Sequence, residues 1–256
     1  MATYKKRGYK PNTKEEQQTA VEEQSTTAEV FNTLDEGAGK TEEWVARNQK
    51  YIFIIIGVAA AVILGYLAYE EFIQEPKEAE AANEMFVAQQ YFETALNSSG
   101  AQSDSLYNLA LTGAQGKFGF EDIIENYGGT KAGNLSRYYA GMAYLNTNQY
   151  QQAIDHLDDF KSDDQILAPL AKGAIGDAFL QLEQPEEALD YYEEAAQMRE
   201  NNFTTPRFLM KAAVTAIKLG NGAAAEKYLT RIQKEYPDSA EANKVSVYLG
   251  QAQAMQ

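Results

Sequence analysis

Three regimes of hydrophobic patterning follow one another along the chain. Residues 1–40 show no period: Thr, Glu, Gln and Lys dominate, large apolar groups are few, and too little surface can be buried to offset the entropy of ordering. This tail is expected to be disordered. Residues 51–69, YIFIIIGVAAAVILGYLAY, are apolar without interruption and contain no charge, Asn, Gln or Pro. Beyond residue 76 apolar positions recur at helical spacing between short breaks, and strand-like alternation is scarce. The pattern predicts an all-α protein.

The apolar run is a predicted transmembrane helix. At about 1.5 Å per residue it rises roughly 28 Å, close to the ~30 Å hydrocarbon core of a bilayer. Tyr51, Phe53, Tyr66 and Tyr69 cluster at its two ends, as interfacial aromatics do, and Trp44 suits a headgroup anchor. Fifty residues precede it, which does not fit a cleaved signal peptide. Lys40, Arg47 and Lys50 lie just before the run and only Lys77 just after it, so the positive-inside bias predicts a cytoplasmic N-terminus and an extracytoplasmic body, periplasmic in a bacterium. Gly57, Ala61 and Gly65 stack on one side of this helix, either as a close-contact face for another membrane helix or as the small residues common in any span.

Two breaks are informative. The triplet Gly39-Lys40-Thr41 ends like a phosphate-binding loop, but Leu34 occupies the position of the required first glycine and no strand precedes it, so no nucleotide site is expected. Thr41 reads instead as a helix N-cap with Glu42 and Glu43 in the first turn. The expected organisation is a tail at 1–40 and a juxtamembrane and transmembrane helix at 41–72 with its span at 51–69. A first helical unit with an irregular connection at 73–133 and a repeat region at 134–256 follow.

The repeat is visible as a constant offset. Tyr127 to Gly141, YGGTKAGNLSRYYAG, matches Tyr236 to Gly250, YPDSAEANKVSVYLG, 109 residues later, and the offset divides into steps of 35, 37 and 37. A small marker residue recurs at Gly141, Gly176, Ala213 and Gly250, and a second-helix alanine at Ala153, Ala188 and Ala225. Spacing and markers resemble the tetratricopeptide repeat, without its tryptophan. Thr205-Pro206 is expected to open a helix, Gly220-Asn221-Gly222 to divide a pair, and residues 239–254 to form a capping helix. Upstream, 78–96 reads as a helix, 97–119 as partly irregular, and Phe120 to Tyr127 as the start of the regular array.

Composition removes most chemistry. The chain has no cysteine and one histidine, His156, which reads as a solvated helix-face residue beside Asp155. The pairs Asp158-Asp159, Asp163-Asp164 and Glu186-Glu187 diverge by about 100° on a helix and suit solvated faces, with Asp163-Asp164 also placed to cap a helix. Residues 1–50 carry a net charge of −1 and the rest −14, which disfavours nucleic acid. No catalytic set, cofactor or metal site is expected. A repeat solenoid instead offers the concave face of its first helices. In the register above that face holds Tyr138, Met142, Leu145, Asp177, Leu180, Met210, Val214 and Ile217, although a shift of one residue would turn most of them into inter-repeat core.

The segment Trp44-Val-Ala-Arg47-Asn-Gln-Lys50 running into a glycine-bearing helix, followed by an acidic body of divergent repeats from about residue 78, resembles the ancillary subunit of the Sec translocon, the YfgM-like family. That resemblance implies a non-enzymatic accessory of protein export. Its membrane helix would dock at Sec translocon subunits, and its periplasmic repeats would meet translocating clients or chaperones. A membrane-anchored scaffold for a fixed envelope complex is the alternative.

Overall fold

The computed structural model describes residues 43–255 and divides into two units at Tyr69 and Glu70. The expected tail, the Gly39-Lys40-Thr41 triplet and the Thr41 cap lie outside the described residues. In the first unit, 43–69 is a single α-helix, α1, long and apolar enough to cross a membrane, with none of its most apolar window buried.

The second unit opens on a π-helical turn, Glu70–Gln74, that leads into α2, Glu75–Leu96. Pro76 explains the wide turn. A proline there has no N–H to donate and its ring would clash with the carbonyl of Phe72 in a regular α-helix; widening the turn relieves that contact.

Nine further helices follow: α3 (Ala101–Thr112), α4 (Phe120–Tyr127), α5 (Lys131–Asn146), α6 (Tyr150–Asp159), α7 (Leu167–Gln181), α8 (Pro185–Met198), α9 (Thr204–Lys218), α10 (Gly222–Glu235) and α11 (Ala242–Gln253). Each packs on the next, and α11 also rests on α9. Among the described residues there is no strand, only one isolated bridge between Ala114 and Lys117. The fold is an all-α helical solenoid.

Three pairs, α5/α6, α7/α8 and α9/α10, repeat the same internal turn. Gln149 N donates to Tyr144 O, Gln184 N to Phe179 O and Asn221 N to Ala216 O, and the residue before each donor, Asn148, Glu183 or Gly220, has positive φ. This is the Schellman closure, in which one left-handed residue lets the chain reverse while satisfying the last carbonyls of the helix. The pairs close on small residues. A Cβ on Gly141 would lie 2.5 Å from Leu157, one on Gly176 would lie 2.7 Å from the Tyr192 ring, and one on Gly173 would lie 1.8 Å from Phe208. Gly141 and Gly176 are therefore crossing points within their pairs, and Gly173 one between α7 and α9, where any side chain would force the helices apart, whereas a Cβ on the marker Gly250 would meet nothing within 4 Å.

Side chains set the helix starts. Thr130 Oγ1 accepts from Gly133 N at 3.0 Å while Glu78 of α2 accepts from Lys131 N, so α5 is capped both locally and from 53 residues away. Asp164 Oδ1 accepts from Ile166 N and Leu167 N to open α7, and Asn221 Oδ1 accepts from Ala224 N to open α10. At α9 the cap is Asn201, whose Oδ1 takes Phe203 N and Thr204 N; the helix begins one residue before Thr205, and Pro206 sits inside its first turn. The last helix starts at Ala242, where Ser239 Oγ accepts the Ala242 N–H, three residues later than the pattern suggests, because Pro237 to Glu241 forms turns. Within the stretch expected to be irregular, residues 101–112 are the regular helix α3, which buries Tyr107, Ala110 and Leu111 against α2. Phe92, Tyr107, Phe120 and Tyr139 build an aromatic core there, with Phe120 and Tyr139 stacked at 5.2 Å.

Candidate interaction cleft on the first-helix face

Leu145 and Asn146 at the end of α5, Asn148 in its turn, Tyr150, and Asp177, Leu180 and Gln181 on α7 line a cleft of about 380 Å³. Three of the residues expected on the first-helix face, Leu145, Asp177 and Leu180, are brought together here. The others are dispersed. Met142 is half-buried between two core clusters, and Tyr138 is half-buried with its ring 5.4 Å from Phe160. Ile217 packs against the last core cluster, and Val214 is 39% exposed on α9. Met210 lies in the core at 8% exposure beside Phe208 and Leu209, so it is a packing residue. The buried arc of α9 is broad enough to include it, and only a narrow stripe of that helix remains open.

Asp177 is held in place. It accepts from Tyr192 Oη at 2.6 Å and from Lys211 Nζ at 2.5 and 2.7 Å, joining α7, α8 and α9 across a repeat boundary. The Lys211 ammonium also lies 5.5 Å from the Tyr192 ring centre and 6.0 Å from that of Phe208, a cation–π arrangement. Burial first, then the Asp177 charge and hydrogen bond, push the Tyr192 phenol far above its ordinary range. Equivalent ties recur along the array. Arg199 pairs with Asp163 at 2.6 Å, Arg231 with Glu200 at 2.6 Å, and Tyr228 donates to Glu193. Asp163 and its neighbour Asp164 thus serve different ends, an ion pair and a helix cap.

His156 is not a solvated face residue. Its Nε2 lies 3.0 Å from Glu121 Oε1, its ring stacks on Tyr144 at 5.3 Å, and its side chain is only 20% exposed. Burial pushes the Glu121 carboxyl up, but the His156 and Tyr144 side chains beside it together hold it below the usual carboxylate range. The Tyr144 phenol is pushed up by burial and by Glu121. The sequence signal for this knot was weak, because the three residues come from α4, α5 and α6 and meet only through the fold.

Among the described residues no group of three or more His, Asp or Glu side chains converges as metal ligands would. On α1, a Cβ at Gly57 or Gly65 would meet nothing within 4 Å, and Ala61 between them is exposed.

Comparison with protein families matches residues 138–203 and residues 179–246 to two models described as tetratricopeptide repeat. No curated protein and no solved structure matched the chain. The matched stretch runs from within α5 to within α11 and takes in the three helix pairs with their common turn. Residues 138–246 are similar to tetratricopeptide repeats, a protein-interaction fold, and lie within a helical solenoid that follows one long apolar helix in the sequence.

Proposed function

We propose that this protein is a non-enzymatic, single-pass membrane accessory of protein export. In this reading α1 spans the inner membrane with the N-terminus in the cytoplasm and docks at the Sec translocon through Gly57, Ala61 and Gly65. The repeats stand in the periplasm and offer the cleft of Leu145, Asp177 and Leu180 to translocating clients or chaperones. The observation that carries it is the combination, in one chain, of a fully exposed apolar helix of spanning length and a repeat array with an open cleft on its first helices. The distribution of Lys and Arg around the span supports the orientation. The translocon as docking partner comes from the family resemblance.

The test is a photo-crosslinking residue at Ala61 in living cells, followed by purification of the full-length protein in mild detergent. Crosslinks to translocon channel subunits are the expected result. Self-crosslinks alone, or crosslinks to an unrelated envelope complex, would remove the export role.

A second reading, a scaffold for one fixed partner, is favoured by the lining of the cleft. Asn146, Asn148, Asp177 and Gln181 are directional hydrogen-bonding groups, and the Met-rich surface that suits promiscuous binding is missing from it. A single Leu180→Asp substitution separates the two. It abolishes capture of a fixed partner, whereas weak binding of many unfolded chains is only reduced.

A further inference from the structure

Val247 is the one exposed member of a repeated position. At the repeat spacings of 35, 37 and 37 the residues equivalent to it are Tyr138, Gly173 and Met210. Each of those is covered. Tyr138 is half-buried with its ring 5.4 Å from Phe160, a Cβ on Gly173 would lie 1.8 Å from Phe208, and Met210 is 8% exposed. Val247 is 63% exposed. The marker beside it repeats the contrast, since Gly141 and Gly176 are crossed by Leu157 and Tyr192 while nothing crosses Gly250. Among the described residues α11 packs only on α9 and α10, and it does so on the side of Val245 and Ala252. The surface that stacks one repeat on the next is therefore continued on α11 and left open.

Two features of this open face identify what closes it. Asn243, Val247, Gly250 and Ala254, all exposed, follow one another at spacings of four, three and four, so they form one stripe that reads the same from either end. Such a stripe is self-complementary when two copies of it run antiparallel. Each Val247 then seats over the Gly250 of the other copy, as Leu157 seats over Gly141 within the chain, and each Asn243 lies beside the other copy's Ala254. The second feature is charge. From Gly222 onward four Lys and Arg side chains balance four Asp and Glu, none of the acids lies on α11, and the whole net charge of −15 therefore precedes residue 222. Two copies that meet through this end bring no net charge together, whereas contact through the acidic body is opposed.

We infer that a second copy of this chain covers α11. The two α11 helices cross antiparallel about a twofold axis level with Tyr248 and Leu249, and Val247 of each fills the space above Gly250 of the other. The inference is independent of the cleft and of the partner of α1. A single helix crossing buries less than the ~1,200 Å² at which stable soluble interfaces begin, so the pairing is weak and follows protein concentration.

The experiment uses full-length protein in lipid vesicles at a fixed protein-to-lipid ratio, and the absence of native cysteine makes introduced thiols unambiguous. Asn243→Cys and Ala254→Cys forms, carrying tags of different length, are oxidised with copper phenanthroline in air, alone and mixed. In the antiparallel register Asn243 faces Ala254 of the other copy, while the two Asn243 positions are offset by about 16 Å of helix rise, beyond disulfide reach. The expected result is a mixed disulfide at a yield about tenfold above that of either form alone, falling as lipid is added. Adding Gly250→Gln to both forms is expected to bring the mixed yield down to that of the single forms. Circular dichroism and the melting midpoint stay unchanged, because that side chain enters open space in the single chain. If Gly250→Gln lowers the folded signal, Val247→Gln at the 63% exposed site takes its place. Equal yields for mixed and single forms, no disulfide in any combination, or a mixed yield that survives the folded variant overturns the inference.

Discussion

At the level of single residues, the turn between paired helices decides more than its polarity suggests. Asn148, Glu183 and Gly220 occupy the same left-handed position, with φ of 61°, 59° and 77°. Glycine adopts that conformation freely and asparagine nearly so, whereas a glutamate there places its Cβ against the backbone at a cost of about 1 kcal/mol. Glu183 is exposed, and its side chain makes no hydrogen bond or ion pair among the described residues. Glu183→Gly is therefore expected to raise unfolding free energy by about 0.5–1 kcal/mol, read as a higher urea midpoint with unchanged slope. Gly220→Ala is expected to lower it by a similar amount. No change in either variant would mean that the turns are not closed as described. Gly220 could be recognised from sequence as a break because it is glycine; Glu183 could not, since nothing about a glutamate announces positive φ.

At the level of elements, the sequence carried the repeat through residues that must be small, and missed what depends on three helices meeting. Gly141 and Gly176 are visible as markers because close approach leaves no room for a Cβ. The helix α3 was hidden because Gly100 and Gly113 bracket a polar, Ser- and Asn-bearing segment that buries only one narrow side. Met210 was misplaced because periodicity gives the direction of a side chain and not the width of the arc its neighbours cover. The tie of α4, α5 and α6 through Glu121, Tyr144 and His156 was equally invisible, yet it has a measurable consequence. The Glu121 carboxyl is held below its ordinary value near 4.5 in the folded protein, so its contribution is whole above that value and is lost as pH falls through the lower folded one. Its side chain is 36% exposed, so screening limits the effect to about 0.5 kcal/mol. Glu121→Gln is expected to flatten the acid limb of the stability profile below about pH 4.5 by that amount while leaving the slope from pH 7 to 9 unchanged. An acid limb identical to that of the parent would show that the tie contributes nothing.

At the level of the whole molecule, the question is which side of a membrane each end of α1 faces, and the composition makes it answerable. Without native cysteine, a single introduced thiol is the only site that a maleimide can label. Asn202, exposed in the turn before α9, reports on the repeats, and Ser25 reports on the segment before the span. The positive-inside bias rests on Lys40, Arg47 and Lys50 against Lys77, with acidic residues following the span counting for little. In intact spheroplasts, Asn202→Cys is therefore expected to react with a membrane-impermeant maleimide, and Ser25→Cys only after permeabilisation. The reverse pattern would place the repeats in the cytoplasm and turn the cleft toward cytosolic partners, ending the export reading while leaving the repeat fold untouched. Labelling of both without permeabilisation would mean that α1 does not span, and its exposed apolar surface would then need a protein partner to cover it. Orientation outranks partner identity as a test because the cleft can only meet what shares its compartment.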